Sequence, residues 1–146
     1  MAKGDKIYSK ALIEAQKPNG DLTSVFDLLQ KAIALNNPQA KYALGTWYLY
    51  GKFVKKDLKK AVEFLTDAAN ENVKEALYDL AVCYEKGVGV EKDKFKAFLL
   101  YLKASLLGEE QSLYEVGRCY YYGLGIEKNV KIARIWLDLA KEKGIS

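Results

Sequence analysis

Shifting the chain by 36 residues lays it over itself, and this self-similarity limits the possible folds more than any single motif. The shift aligns Ala40 with Ala76 and Ser112, Tyr48 with Tyr84 and Tyr120, and Gly51 with Gly87 and Gly123. Asp57, Asp93 and Asn129 follow in phase, then Ala61, Ala97 and Ala133, then Ala68, Ala104 and Ala140. Asn72, Gly108 and Gly144 close the register, and Asp21, Leu29, Ala32 and Asn36 extend it weakly toward the start. A period of this length means stacked units, each burying its apolar face mainly against its neighbours.

Within each unit the pattern predicts two helices. Ile7, Tyr8, Ala11, Leu12 and Ala15 share one face of a helix over 6–16, which Pro18 and the Asn19-Gly20 turn signal end. Further helices are expected over 22–35, 39–50, 58–70, 75–86, 94–107, 111–122 and 130–143. Gly51 and its equivalents fall where a first helix must stop, and glycine adopts the left-handed conformation there without steric cost. Asp57, Asp93 and Asn129 precede the second helices as side-chain caps. Gly45, Ala81 and Gly117 are small enough for a neighbouring helix to approach closely. The expectation is an all-α solenoid of four helical hairpins in one domain, with repeats at about 3–38, 39–74, 75–110 and 111–146.

The run Ala76, Leu80, Ala81, Tyr84, Gly87-Val88-Gly89-Val90, Asp93, Lys96-Ala97, Tyr101, Ala104 and Gly108 resembles the Sel-one-like repeat, a relative of the tetratricopeptide repeat. Ser112, Val116, Gly117, Tyr120, Gly123, Gly125, Ile126, Ala133, Trp136, Ala140 and Gly144 reproduce it in the fourth unit. The second unit departs at Phe53, which replaces the second loop glycine, and the first keeps only scattered positions. The resemblance implies a right-handed superhelix of helical pairs serving as a bacterial adaptor that assembles complexes, contacts host factors or neutralises other proteins.

Catalysis finds little support. The chain has no histidine, which removes Ser-His-Asp and Cys-His chemistry and the commonest metal ligands. Cys83 and Cys119 occupy one register position, where Ala11 and Trp47 stand in the first two units. Equivalent helices lie roughly 16 to 20 Å apart, beyond the reach of a disulfide, so free buried thiols are expected. Some cysteine-rich relatives are associated with penicillin binding, which makes a penicillin-binding or β-lactamase-like enzyme the alternative reading. The chain lacks the Ser-x-x-Lys spacing such chemistry uses, and the paired cysteines within one repeat. Gly87-Val88-Gly89-Val90 and Gly123-Leu124-Gly125-Ile126 follow helices and recur once per repeat, so they read as turns rather than phosphate loops. Glu109-Glu110 reads as solvated linker charge. No cofactor and no metal are expected.

The net charge of +4, from 23 basic and 19 acidic residues, describes a mixed surface rather than a polybasic field. No segment carries the roughly 18 apolar residues of a membrane span, and Met1-Ala2-Lys3-Gly4-Asp5-Lys6 has no apolar signal core. The chain as written is expected in the cytoplasm, or outside the cell if a signal peptide once preceded it.

By analogy with tetratricopeptide stacks, the first helices line a concave groove. Two residues beyond Ala40, Ala76 and Ser112 stand Tyr42, Tyr78 and Tyr114, a ladder that is Lys6 in the first unit. Tyr50, Lys86 and Tyr122 share another register, as do Leu49, Glu85 and Tyr121, and Thr46, Val82 and Arg118. Tyrosine offers a large contact area at low entropic cost and keeps a polar tip. Tyr42, Tyr78, Tyr114, Tyr121 and Tyr122 are therefore the expected anchors for a protein or peptide partner, with Lys86 and Arg118 selecting acidic features. Tyr48, Tyr84 and Tyr120 are expected in the core. Glu75 and Glu85 on the same face argue against single-stranded nucleic acid. An inhibitor or immunity-type protein is the narrower version of this reading.

The last helix departs from the repeat. Ile132, Ile135 and Leu139 replace Lys96, Leu99 and Lys103 of the third unit and Lys60, Glu63 and Asp67 of the second. Spacings of three and four place them on one face. The two explanations are a docking surface, including a homodimer through this helix, and a chain cut before its capping helix.

Overall fold

The computed structural model describes residues 2–146, which form eight helices and, among the described residues, no strand. In chain order these are α1 (Asp5–Gln16), α2 (Leu22–Ala34), α3 (Pro38–Tyr50), α4 (Leu58–Asn70), α5 (Lys74–Lys86), α6 (Lys94–Leu106), α7 (Gln111–Tyr122) and α8 (Val130–Glu142). The ends differ from the sequence expectation by at most one residue, because local chemistry sets them. The carboxylate or amide oxygens of Asp57, Asp93 and Asn129 accept from the backbone N–H of Lys60, Lys96 and Ile132, each at 3.0 Å. Each such cap is worth about 1 kcal/mol. Gly51 and Gly123 end α3 and α7 in the left-handed region, at φ 68° and 70°.

The helices pack as the hairpins α1–α2, α3–α4, α5–α6 and α7–α8, with α2 also against α3 and α6 against α7. Two compact units result, one ending at Val73 and the other starting at Lys74.

The N-terminal unit is built on Ala11, Val25, Leu29, Ala32, Ala40, Leu44 and Trp47. Its first hairpin is held by a residue that the period does not single out. Asn37 is 1% exposed; its Oδ1 accepts from Ala40 N–H at the start of α3, and its Nδ2 donates to the Lys3 carbonyl and to Asp5 Oδ1 at 3.0 and 2.8 Å. Phe53, in the place of a loop glycine, takes φ 64°. Its ring packs against Phe26 and Trp47 with centroids 5.6 and 5.8 Å away, which offsets the left-handed strain.

The C-terminal unit has Ala81, Ala97, Phe98, Tyr101, Val116 and Cys119 at its centre. Burying Phe98 alone contributes about 1.5–3 kcal/mol. At Gly117 a Cβ would stand 2.8 Å from two carbons of Leu137, so α7 and α8 approach as closely as the small residue allows.

Candidate functional site

The C-terminal unit brings two helix faces together. On α5, Tyr78, Val82, Glu85 and Lys86 follow one another at helical spacing; on α7, Tyr114, Arg118, Tyr121 and Tyr122 do the same. Arg118 joins the two faces. Its Nη2 donates to both carboxylate oxygens of Glu85, at 2.7 and 2.8 Å, and its Nε donates to Glu115 Oε2 at 2.7 Å. The Tyr101 hydroxyl donates to Glu85 Oε1 at 2.9 Å from beneath.

Burial works against the charge on Arg118, but its bonds to Glu85 and Glu115 outweigh that cost and hold its pKa above the ordinary value. Desolvation is the largest cause raising the Tyr101 pKa, followed by the charge of Glu85 and the hydrogen bond to it. Tyr78 is half-buried and meets Tyr101 edge-on at 5.7 Å. Its phenol is pushed up to about 12, first by desolvation and then by Glu115, Glu109 and Asp79. Two carboxylates face one guanidinium in the network, and Lys86 adds an exposed cation at the end of α5.

This changes the reading of individual residues. Arg118 was expected to select acidic features, yet both Nε and Nη2 already serve carboxylates of the same chain. Lys86 is exposed at the end of α5. Tyr121 and Tyr122 meet edge to face at 4.9 Å and are 41% and 65% exposed. Tyr114 is half-buried. Tyr42, half-buried, and Tyr50, 73% exposed, lie on α3 in the N-terminal unit.

Tyr48, Tyr84 and Tyr120 are half-buried and pack against the edges of the two cores. Tyr48 stacks on Phe64 at 5.9 Å, Tyr120 meets Phe98 edge-on at 5.3 Å, and Lys96 lies over the Tyr84 ring at 4.5 Å. The tyrosine that does fill the core is Tyr101, 1% exposed. Glu109 is also not solvated linker charge: it accepts from the backbone N–H of Gln111 and Ser112 and from the Ser112 hydroxyl, capping α7. The register gave no usable signal for this: Glu109 stands two periods after Asn37, but Val73 holds the position between them.

Cys83 and Cys119 are free and buried. Desolvation, with Asp79 for Cys83 and with Glu85 and Glu115 for Cys119, raises both thiols to about 11. A thiol held protonated in this way is a poor nucleophile. Among the described residues no three or more Cys, Asp or Glu side chains gather as a metal-holding group, and no helix is long and apolar enough to cross a membrane. On α8, Ile132 is half-buried, while Ile135 and Leu139 are exposed.

Comparison with known proteins places these features in a family. The Sel1 repeat model matches residues 38–73, 74–109 and 111–145. No curated protein matches the chain in sequence. Among solved structures, a Sel1 repeat protein from Oxalobacter formigenes is 26% identical with a TM-score of 0.90, over 97% of this chain and 58% of its own. The protective antigen c5321 of uropathogenic Escherichia coli, described as having an SLR fold, is 27% identical with a TM-score of 0.91, over 98% of this chain and 31% of its own. An immunity protein from Pseudomonas aeruginosa shares the fold at 23% identity and a TM-score of 0.65, over 97% of this chain and 53% of its own. The chain therefore spans 58% and 31% of the first two structures it resembles. Three matched repeats and eight helices arranged as hairpins make this chain a member of the Sel1 repeat family, an all-α solenoid of the kind that serves as a protein-interaction module.

Proposed function

We propose that the chain binds a segment of another protein across the α5 and α7 faces of its C-terminal unit, without catalysing a reaction. The observation that carries this reading is the exposed Tyr121–Tyr122 pair next to the Glu85–Arg118–Glu115 network. The tyrosines supply contact area at low entropic cost, and the network holds the two helix faces in a fixed relation, so little ordering remains for binding to impose. The fitting segment is apolar, with Tyr78, Tyr114, Tyr121 and Tyr122 as anchors, since Glu85, Arg118 and Glu115 already satisfy one another.

An inhibitor or immunity-type role is the narrower form of this proposal, for which the Pseudomonas immunity protein is a precedent in fold alone. The test is affinity capture from the source cells with the wild-type protein and with Tyr121→Ala/Tyr122→Ala, read by mass spectrometry. A partner captured by the first and lost by the second, with equal thermal stability of the two proteins, is the expected outcome. Identical capture by both would overturn the site, and covalent labelling of the protein by a β-lactam would overturn the non-catalytic reading.

A further inference from the structure

The lysines of the N-terminal unit crowd one end of the α3–α4 hairpin. Residues 52–60 carry Lys52, Lys55, Lys56, Lys59 and Lys60 against one acid, Asp57. The equivalent stretches 88–96 and 124–132 hold three lysines with two acids and two lysines with one acid, so the charge belongs to this repeat rather than to the period. Lys55 stands where the third and fourth repeats have Glu91 and Glu127, and Lys52 where they have Val88 and Leu124. The connection is tight. Asp57 N–H donates to the Tyr48 carbonyl at 3.0 Å, Val54 N–H to the Lys52 carbonyl at 2.7 Å, and a Cβ at Gly51 would stand 3.3 Å from that of Lys56. All five lysines are exposed, and among the described residues none lies within ion-pair distance of a carboxylate. Asp57 is turned to the helix instead, where its Oδ1 accepts from Lys60 N–H and caps α4. The positive end of the α4 dipole, which acidic side chains ordinarily face, adds to the field of the lysines. Crowding of this kind works against the fold, and no pairing within the chain offsets it.

We propose that this end of the hairpin binds an acidic segment of another protein, one in which several Asp or Glu residues lie close together. Charge complementarity selects the class, since an anionic segment meets the five ammonium groups without repulsion. Two of the heads are already positioned. Lys52 Nζ lies 5.5 Å from the Trp47 ring centre, and Lys60 Nζ lies 4.8 Å from that of Tyr48. Ring contacts leave these side chains less freedom to lose when carboxylates arrive. Two observations favour a protein segment over other polyanions. Residues 1–73 contain no arginine, the side chain that phosphate and nucleic-acid recognition favours. Phe53, 49% exposed in the same loop, is held against Phe26 and Trp47 with centroids 5.6 and 5.8 Å away. A ring held against two others neither projects as a bilayer anchor does nor swings out to stack on a base. The surface lies in the N-terminal unit and stands independently of the tyrosine faces on α5 and α7.

Fluorescence anisotropy of a labelled oligoglutamate peptide, titrated with the 146-residue protein, reads the proposal directly. Binding is expected at an ionic strength of about 0.1 M and is lost near 1 M, where the screening length falls from about 10 to about 3 Å. Lys55→Gln/Lys56→Gln/Lys59→Gln weakens it by a factor on the order of ten. Lys92→Gln/Lys94→Gln/Lys96→Gln removes as much charge from the equivalent stretch of the third repeat and leaves the binding unchanged. The thermal melt of the first variant does not fall, because like charges are removed from the positive end of α4. No binding at the lower ionic strength overturns the proposal, as does an equal loss in both variants. Tighter binding to phosphatidylserine vesicles or to an oligothymidylate than to the peptide, with the same lysine dependence, overturns the choice of a protein segment.

Discussion

Arg118 Nη2 spans both carboxylate oxygens of Glu85, joining helices whose residues lie 33 positions apart in the chain. The side chains are only 26% and 18% exposed, so solvent screens the pair incompletely. Arg118→Met leaves Glu85 and Glu115 facing each other without their shared cation. The expected loss is about 2–4 kcal/mol, read from the denaturant midpoint, with a smaller loss of roughly 1 kcal/mol for Glu115→Gln, which keeps an acceptor. A double-mutant cycle with Glu85→Gln should return a coupling energy; additive effects would show that the pair contributes nothing beyond its separate members.

Alkaline pH should destabilise the C-terminal unit earlier than free tyrosine would suggest. The folded state holds Cys83 and Cys119 at about 11 against an ordinary 9.0, and Tyr78 at about 12 against 10.0. These are acids whose folded pKa is raised, so their stabilising contribution is intact below the unfolded values and is lost as pH rises through the folded ones. Unfolding free energy measured against pH should begin to fall near pH 9 and continue falling to about 12. In Cys83→Ala/Cys119→Ala the fall should begin nearer 10, where tyrosine takes over. An onset that stays at pH 9 in the double variant would show that the thiols are not its source.

Phe53 separates backbone strain from ring packing. Alanine keeps the left-handed strain and loses the contacts with Phe26 and Trp47; glycine loses the contacts but also the strain. The expected order of thermal stability is wild type, then Phe53→Gly, then Phe53→Ala, with about 1 kcal/mol between the two variants. Equal stability of the two variants would show that the left-handed backbone carries no cost here.

Asn37→Ala removes the α3 cap and both ties to the chain around α1, for an expected loss of about 2–4 kcal/mol by chemical denaturation. Asn37→Asp keeps the cap but sets a second carboxylate at the 2.8 Å contact with Asp5. That variant should regain stability as pH falls and one carboxyl protonates, whereas the alanine variant should not. The same pH response in both would rule out the carboxylate clash.

The helices were readable because Asp57, Asp93, Asn129 and the glycines after the first helices recur in one phase, and each acts on its own few residues. Neither Asn37 nor the Glu85–Arg118 pair could be read that way. Asn37 lies in the most diverged unit and acts through partners more than 30 positions back. The register aligns Glu85 with Tyr121 and Arg118 with Val82, so their pairing is a diagonal across neighbouring helices rather than a repeat equivalence. The faces of Tyr78, Tyr114, Tyr121 and Tyr122 followed from spacing, while their depth did not. Spacing places a side chain on a helix, and only the neighbouring helix decides whether it is covered.

The placement of the two cysteines makes local opening measurable. Both belong to the unit that starts at Lys74, on α5 and α7, and each is 2% exposed. A water-soluble thiol reagent meets them only when those helices part, so its labelling rate times the opening of that half alone. Trp47 reports on the other half by fluorescence in a Trp136→Phe background, since the chain has only these two tryptophans. Comparing the two signals under increasing denaturant would reveal whether the halves melt together or in succession.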